Sequence, residues 1–316
     1  MNRIPLFVLP LSLVLASCGS NTDPSLDQTG PQPDLPEQND ALLPAMNVSP
    51  PGGWNGELPT VPEGFSIAPI ATDLKIPRQL LVLPNGDILV AEGSGGRAPK
   101  VRPKDVIAGW IQARGKSPVE GGDRITLLRD EDGDGTTDLQ TTFIDRLDAP
   151  YGLAFVDGTL YVANQDNLVS FAYTEGATSI AGPGAELTPL PAVINHHWTK
   201  SLTASPDGTK LYVGIGSNSN IGERGMTLEE DRAVIWEIDR ETGASRIYAS
   251  GIRNPTALAI NPGSGQLWAV ANERDELGPQ LVPDYLTSVE EGHFTAGRTA
   301  TTGRTSTIAC APNDLI

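Results

Sequence analysis

A short apolar segment, a turn ending in glycine and a second apolar segment recur four times along the chain. Glycine after asparagine, aspartate or proline supplies the backbone angles of a tight turn. Small and β-branched residues on either side favour extended strands. The pattern therefore predicts four β-hairpins, over residues 79–92, 151–164, 201–214 and 256–272.

The repetition of one turn register predicts an all-β protein of the β-propeller type, with about four blades present. Further strand candidates lie between the hairpins, over residues 124–128, 168–171 and 233–238. The hairpins are spaced by roughly 50 to 70 residues, more than a common propeller repeat, and insertions such as residues 93–122 account for the excess. The alternative fold is a β-sandwich built from the same hairpins.

The first 18 residues have the pattern of an export signal. Asn2 and Arg3 precede an apolar stretch over residues 4–15 that is too short to span a bilayer. The sequence Leu-Ala-Ser-Cys that ends at Cys18 has the form of a lipobox, which predicts acylation of Cys18. We therefore expect a lipid-anchored protein on the periplasmic or extracellular side of a bacterial cell envelope, which contacts the membrane through its lipid alone. A plain signal peptide is the alternative.

The amino-acid composition distinguishes a linker from a folded domain and argues against nucleic acid as a partner. Residues 19–55 are rich in Pro, Asp, Gln and Asn, which predicts a disordered linker before a domain over residues 56–294. The formal net charge is −17 and there is no basic stripe, so the sequence does not predict nucleic-acid binding. Apart from Cys18 the chain has one cysteine, Cys310, so we expect no internal disulfide.

Three ordered motifs carry a resemblance to a known family. The segments are residues 196–200 with 205–208 and 212–220, then 253–259, and then 272–278. Together they resemble the PQQ-dependent glucose/sorbosone dehydrogenases, which are soluble quinoprotein sugar dehydrogenases, and in particular the sorbosone dehydrogenase-like branch. The resemblance covers residues 61–294 and implies a six-bladed propeller that binds PQQ and calcium and oxidises a sugar. It does not specify the sugar or the electron acceptor.

His197 matches the catalytic base of that family. Oxidising a sugar hydroxyl requires a base that accepts the O–H proton as hydride leaves carbon, and histidine titrates in a suitable range. The alternative is an imidazole that only hydrogen-bonds at a strand end, and His196 is the second candidate. Ser217 stands where the glucose enzymes have an acidic residue that orients the histidine, so the sequence leaves open how His197 is held.

The resemblance also implies residues that hold the cofactor and the metal. Arg253 and Asn254 match the pair that contacts the quinone, although a structural salt bridge would explain Arg253 equally well. Calcium ligands are expected among carboxylate and main-chain oxygens of Glu273, Arg274 and Asp275, with no choice among them.

An acidic run, independent of the resemblance, has oxygen-bearing residues at the spacing of a calcium-binding loop. Its candidate ligands are Asp130, Asp132, Asp134 and Asp138, with glycine at the sixth position but no glutamate at the twelfth. Two interpretations remain open, a calcium-bound hairpin tip and a merely acidic turn.

The character of the amino-acid sequence changes after Phe294. The family continues there with an aromatic strand, whereas residues 295–316 are rich in Thr and Ala without alternation. The codons for the family's residues, read with one base missing, give Thr-Ala-Gly-Arg-Thr as found here, so we expect residues 295–316 to be a frameshifted tail. With the closing blades absent, we expect a polypeptide prone to aggregation, with little or no dehydrogenase activity.

Three functional interpretations are therefore open at the level of sequence. The first is a PQQ- and calcium-dependent sugar oxidoreductase, intact or truncated. The second is a lipid-anchored propeller that binds a ligand or a protein without catalysis, because one fold hosts many functions. The third is a remnant without function.

Overall fold

The computed structural model describes residues 48–53, 56–96, 103–115, 120–275, 277 and 281–294. These residues are almost entirely in strands and connecting loops. The strands are β1 Pro77–Val82, β2 Ile88–Glu92, β3 Arg124–Arg129, β4 Leu139–Ile144, β5 Gly152–Val156, β6 Thr159–Ala163, β7 Asn167–Ala172, β8 Ala185–Pro189, β9 Leu202–Ala204, β10 Lys210–Ile215, β11 Val234–Asp239, β12 Ser245–Ser250, β13 Pro255–Ile260, β14 Leu267–Ala271 and β15 Tyr285–Val289. One α-helix, α1 Pro103–Gln112, and two short 3-10 helices, Ala113–Gly115 and Met226–Glu229, complete the described elements.

The described strands form four antiparallel sheets in which neighbours in sequence are neighbours in space. The strand orders are β1-β2-β3-β4, β5-β6-β7-β8, β9-β10-β11-β12 and β13-β14-β15. Each sheet is a meander, because each strand returns beside the one before it. This is how a propeller blade is built, and we refer to the four sheets as blades 1 to 4.

Successive blades meet through their first strands. Strand β1 contacts β5, β5 contacts β9, and β9 contacts β13. Gln79 on β1 joins three blades, because its amide nitrogen lies 3.3 Å from the Leu153 oxygen and 3.4 Å from the Leu202 oxygen. Ser201 Oγ then donates to the Pro255 oxygen of blade 4 at 2.7 Å. The predicted β-propeller with about four blades is confirmed, and the sandwich alternative is not what these strands form.

The described residues form three apolar core layers, one between each pair of neighbouring blades. Blades 1 and 2 enclose a cluster that includes Leu127 and Phe171, and blades 2 and 3 enclose one that includes Leu168 and Val213. Blades 3 and 4 enclose a third, smaller cluster around Ile252. A blade is therefore stabilised by its neighbours rather than by a central core of its own.

The four predicted hairpins correspond to β1–β2, β5–β6, β9–β10 and β13–β14. Gly86 and Gly208 have φ angles of 90° and 68°, as expected for the turn glycine. In the second hairpin Asp157 and Gly158 both have positive φ, the geometry of a type I′ turn. In the fourth hairpin the glycine with positive φ is Gly265 rather than Gly263 of the predicted turn.

The insertion predicted between the first hairpin and the next strand contains α1. No helix among the described residues combines the length and the apolar character needed to cross a bilayer. The predicted leader with Cys18, most of the predicted linker and the tail over residues 295–316 lie outside the described residues.

Candidate active site

The segments that carry the predicted site residues meet at one end of blades 3 and 4. His197 precedes β9, residues 216–220 follow β10, Asn254 precedes β13, and residues 272–275 follow β14. In an antiparallel hairpin the start of the first strand and the end of the second lie at the same edge. The sequence therefore brings these four segments together wherever the two blades adjoin, as β10 and β13 do.

His197 is held by a main-chain group. Its Nδ1 lies 2.7 Å from the main-chain oxygen of Ser217. A carbonyl oxygen only accepts hydrogen bonds, so Nδ1 carries the proton and Nε2 of the neutral ring is unprotonated. The Ser217 hydroxyl is not involved, since it donates to the Ser219 oxygen at 2.8 Å. The orienting role given to an acidic residue in the resembling glucose enzymes thus falls here to a peptide group.

The same peptide segment ties His197 to blade 4. The Ser217 amide donates to the Arg253 main-chain oxygen at 2.7 Å. In the next strand pair, the Asn272 amide donates to the Asn254 oxygen at 3.0 Å. His197 and Arg253 are therefore separated by one bridging residue, and the two are brought to one place as the motif order implied.

Gly216 allows the closest approach in the site. A Cβ added to Gly216 would lie 2.4 Å from Asn254 Oδ1 and 2.5 Å from His197 Cβ. Both distances are shorter than any real van der Waals contact, so no side chain fits between these residues. Glycine at this position permits His197 and Asn254 to stand side by side.

The Arg253 guanidinium is buried and largely occupied by the chain itself. Its side chain is 4% exposed. Nε donates to the Asn220 oxygen at 3.1 Å and Nη2 to Asn220 Oδ1 at 2.8 Å. Nη1 donates to the main-chain oxygens of Asn272 at 3.1 Å and Glu273 at 2.7 Å. Four of the five N–H groups of a guanidinium are thereby engaged, and the fifth has no partner among the described residues and suits a ligand.

Asn254 offers a buried acceptor. Its side chain is 7% exposed, and Oδ1 has no hydrogen-bond partner among the described residues. A buried polar atom without a partner is costly and in native proteins usually meets a ligand, an ion or water. Among the described residues, Asn254 Oδ1, His197 Nε2 and one Arg253 N–H have no hydrogen-bond partner and so suit a ligand.

The three predicted metal-ligand residues, Glu273, Arg274 and Asp275, lie in different environments. The main-chain oxygen of Glu273 accepts from Arg253, and the Asp275 oxygen accepts from Asn220 Nδ2 at 3.3 Å. The Glu273 side chain is 7% exposed, and its Oε1 has no hydrogen-bond partner among the described residues. Arg274 is half-buried and the Asp275 side chain is exposed. The Glu273 carboxylate is the group of this segment that suits a bound cation.

Burial and positive charge govern the electrostatics of the site. Burial lowers the pKa of His197 well below its ordinary value, and the charge of Arg253 lowers it further. Burial likewise lowers the pKa of His196, whose ring stands edge-on to His197 at 4.6 Å. Burial raises the pKa of Glu273, and the Arg253 charge opposes this. His197 is therefore neutral throughout the neutral pH range.

The acidic run forms the tip of the β3–β4 hairpin, away from this site. Carboxylate oxygens of Asp130, Asp132 and Asp138 lie within 4.8 Å of one another, and all three residues are exposed. Asp134 is not part of this group, and its Oδ1 accepts the Thr136 amide at 2.7 Å. Asp130 accepts the Gly133 and Gly135 amides at 2.7 and 2.8 Å. The acidic turn is thus closed by its own hydrogen bonds to main-chain amides.

A buried polar network beneath His197 was not anticipated from the sequence. It consists of four residues that are each at most 4% exposed, Asn195, Lys200, Glu229 and Arg232. Lys200 Nζ lies 3.0 Å from both Asn195 Oδ1 and the Trp198 oxygen. Glu229 accepts the Asn218 amide at 2.9 Å. Charged residues in loops are ordinarily read as exposed, so only their position inside the fold reveals them.

Comparison with known proteins decides the family. The sequence model of the TrAA12-like family matches residues 119–285, which is more than half of the chain. The chain belongs to the TrAA12-like family. The expected membership of a quinoprotein sugar dehydrogenase family is thus confirmed at this level, whereas the sorbosone dehydrogenase-like branch stays a prediction.

Solved structures agree with the fold of this TrAA12-like protein. The holo form of the PQQ domain of pyranose dehydrogenase from Coprinopsis cinerea has a TM-score of 0.56 at 16% identity, over 73% of this chain and 55% of that one. The iodide structure of the family AA12 protein from Trichoderma reesei has a TM-score of 0.56 at 20% identity, over 78% and 58%. Its calcium structure has a TM-score of 0.52 at 21% identity, over 72% and 55%. The chain therefore spans a little over half the length of these proteins.

Proposed function

We propose that this protein is a PQQ-dependent oxidoreductase that oxidises the hydroxyl of an aldose, sorbosone or related sugar. The observation that carries the proposal is the pairing of His197 Nδ1 with the Ser217 oxygen, next to the buried side chains of Arg253 and Asn254. This arrangement leaves an unprotonated imidazole nitrogen beside two groups that suit a polar cofactor. The solved structure of a PQQ domain with this fold supports the same assignment.

The residues present fit the cofactor in a specific way. The remaining Arg253 N–H can donate to a quinone oxygen or a cofactor carboxylate, and Asn254 Oδ1 can accept from a ring N–H. Arg253 itself is fixed by Asn220 and by the residues after β14, so it meets a ligand without having to be ordered first. PQQ supplies, when bound, the oxidising quinone that accepts the hydride leaving the sugar carbon.

His197 performs the proton transfer. The sugar hydroxyl gives its proton to Nε2 while a hydride leaves the carbon that bears this hydroxyl. The carbon–oxygen single bond thereby becomes a double bond. The ring is neutral at pH 7 because burial and the Arg253 charge hold its pKa low. The base is therefore available without prior deprotonation, although a low pKa makes it a weaker base than an exposed histidine.

The metal assignment is part of the proposal. The Glu273 carboxylate is buried and Oε1 lacks a partner among the described residues, which is the kind of group that a calcium ion compensates. The calcium form of the related Trichoderma protein supports calcium as the ion. Arg274 and Asp275 remain candidates for main-chain or carboxylate ligands, and the main-chain oxygens of Asn272 and Glu273 are already engaged with Arg253.

We also propose that the protein is held at a bacterial cell envelope by a lipid on Cys18, on the periplasmic or extracellular side. The lipobox sequence and the tether-like composition of residues 19–55 support this. The sorbosone dehydrogenase-like branch is supported by Ser217 at the position of the acidic residue and by the Glu-Arg-Asp-Glu run at residues 273–276.

A titration of the purified full-length chain with PQQ and calcium tests the proposal. We expect saturable quenching of tryptophan fluorescence. We expect the sugar-dependent reduction of the bound quinone to be slow, in keeping with the little activity expected from the sequence, and therefore to be measured in anaerobic single turnover. His197→Gln is expected to keep the binding and to lower the reduction rate by about 10²- to 10⁴-fold, the usual contribution of a general base. His293→Gln is the matched control, because the His293 side chain is 60% exposed.

Two outcomes would contradict the proposal. The first is the absence of saturable PQQ binding, which would leave a propeller that binds some other ligand or partner. The second is binding in which His197→Gln and His293→Gln reduce the quinone at equal rates, which would remove His197 as the base.

A further inference from the structure

Arg232 lies directly beneath the His197–Ser217 hydrogen bond. It precedes β11 in the loop that follows β10, and 2% of it is exposed. Nε donates to the Gly216 oxygen at 2.7 Å, and Nη1 donates to the Pro191 oxygen at 2.6 Å. Nη2 donates to the His197 oxygen at 3.3 Å. These acceptors are all main-chain atoms of the segments that build the site.

The arrangement of these acceptors is informative. The His197 oxygen belongs to the residue whose ring donates, and Gly216 is joined by a peptide bond to Ser217, whose oxygen accepts. One planar group therefore holds both sides of the hydrogen bond that fixes the imidazole. Arg232 is held in turn, because Asn195 Oδ1 lies 3.2 Å from both Nη1 and Nη2.

We propose that Arg232 is a positioning residue for His197: it locks the two backbone segments so that Nδ1 stays on the Ser217 oxygen and Nε2 faces the ligand side. This inference deepens the proposed function and rests on it for the role of His197 as a base. Arg232 acts through His197 and contacts neither a cofactor nor a substrate.

The planar guanidinium is essential to this role. Its donors point in fixed directions and reach Gly216, Pro191 and His197 at the same time. A lysine ammonium is a point charge on a flexible stem and cannot reproduce this arrangement. Burial lowers the pKa of Arg232 to about 10, so the group is still charged at neutral pH.

Arg232 has a second effect through its charge. The charged or titratable groups facing the His197 ring are Arg253 from blade 4, His196 from its own segment and Arg232 from below, and all three lower the pKa of His197. The hydrogen bond that His197 Nδ1 donates to the Ser217 oxygen acts in the opposite direction and raises this pKa. The charge of Arg232 and the directed hydrogen bonds of its guanidinium can therefore be removed separately by substitution.

Imidazole NMR of the full-length chain labelled with ¹⁵N-histidine measures both effects without PQQ or sugar. The chain has three histidines, His196, His197 and His293, so His196→Gln and His293→Gln assign the signals. The test variants are Arg232→Met, which removes charge and geometry, and Arg232→Lys, which keeps the charge. Arg124→Met is the control, because it removes an arginine paired with buried Glu92 in blade 1.

We expect wild-type His197 to show a single Nδ1–H tautomer. In Arg232→Met and in Arg232→Lys the Nε2–H tautomer should rise to at least about a tenth of the population, since one hydrogen bond commonly sets a ratio of about tenfold. The pKa of His197 should rise in Arg232→Met and stay low in Arg232→Lys. Arg124→Met should change neither the tautomer population nor the pKa of His197.

A folded Arg232→Met protein that keeps the single wild-type tautomer would overturn the inference, as would full retention by Arg232→Lys. If both variants fail to fold, Asn195→Ser decides, because it removes the amide oxygen that holds the Arg232 guanidinium, and that also accepts from Lys200 Nζ, with a smaller defect than loss of the guanidinium itself. Retention of one tautomer in that variant also overturns the inference. A chain that passes these tests but does not bind PQQ refutes the proposed function and leaves the positioning role intact.

Discussion

The Nδ1 atom of His197 and the main-chain oxygen of Ser217 are 2.7 Å apart, and this contact determines what His197 can do. It places the proton of the neutral ring on Nδ1 and leaves Nε2 free to accept one. The contact requires no side chain at residue 217. A histidine in this fold is therefore oriented without a neighbouring carboxylate.

Substitution of Ser217 tests this point. Ser217→Ala should leave the His197 tautomer unchanged, because the peptide oxygen remains. It should lower the free energy of unfolding by about 1 kcal/mol, since the hydrogen bond from the hydroxyl to the Ser219 oxygen is lost. Imidazole NMR and urea denaturation measure the two effects. A change of tautomer in Ser217→Ala would mean that the hydroxyl, not the peptide, orients the ring.

Gly216→Ala should disturb the site directly. The added Cβ would lie 2.4 Å from Asn254 Oδ1 and 2.5 Å from His197 Cβ. Relief requires that one of these residues move, which typically costs about 1–3 kcal/mol and should weaken PQQ binding. Gly263→Ala is the matched control, because its added Cβ would meet only Asn261 Oδ1 at 3.4 Å. Equal stability and PQQ affinity in the two variants would contradict the close approach seen here.

Glu92 is expected to be a main support of blade 1. The residue is fully buried, with Oε1 2.9 Å from Arg124 Nε, and it also accepts from the Thr126 hydroxyl. Glu92→Gln should lower the free energy of unfolding by about 1.5–3 kcal/mol, because it weakens the hydrogen bonds of a buried carboxylate to Arg124, which is itself 25% exposed.

The control for Glu92 is an exposed ion pair. Asp145 and Arg146 are paired at 3.3 Å with side chains 59% and 82% exposed. Asp145→Asn should therefore change stability by less than about 1 kcal/mol. Thermal or urea unfolding of both variants gives the comparison, and a Glu92→Gln protein as stable as Asp145→Asn would refute the assignment.

Acid should destabilise the protein through His197. The folded state holds the pKa of His197 well below its ordinary value, whereas the unfolded chain has an ordinary histidine with a pKa of about 6.5. As pH falls below about 6.5 the unfolded state binds a proton that the folded state does not, so stability is lost, by up to about 1.4 kcal/mol per pH unit. Stability from this group is fully present above that pH.

Denaturation curves of wild type and His197→Gln between about pH 5 and 7 isolate this contribution. We expect the difference in unfolding free energy between the two proteins to change with pH in that window. Glu273, whose pKa is raised, acts in the opposite direction as pH rises, but it is common to both proteins and cancels. A difference that does not vary with pH would show that His197 is not buried as described.

The sequence specified the local units well. Turns such as Asp157-Gly158 fix hairpins through backbone angles that depend on two residues alone. The sequence motifs also indicate that His197, Arg253 and Asn254 lie close together. The strand ends that carry them are at the same end of neighbouring blades and must therefore meet. The glycine of the fourth turn was placed at Gly263 instead of Gly265, because a proline and two glycines within five residues allow more than one turn.

What the sequence by itself determined is therefore the type of fold, the hairpins and the segments that form the site. The tertiary structure alone decided how those segments are fixed: the Ser217 peptide as the partner of His197, Arg253 turned largely toward its own chain, and Arg232 beneath both. The physical reason is that strand and turn preferences act between residues close in the chain. Burial of a charge, and the main-chain acceptors that satisfy it, depend on segments that only meet when the blades pack together.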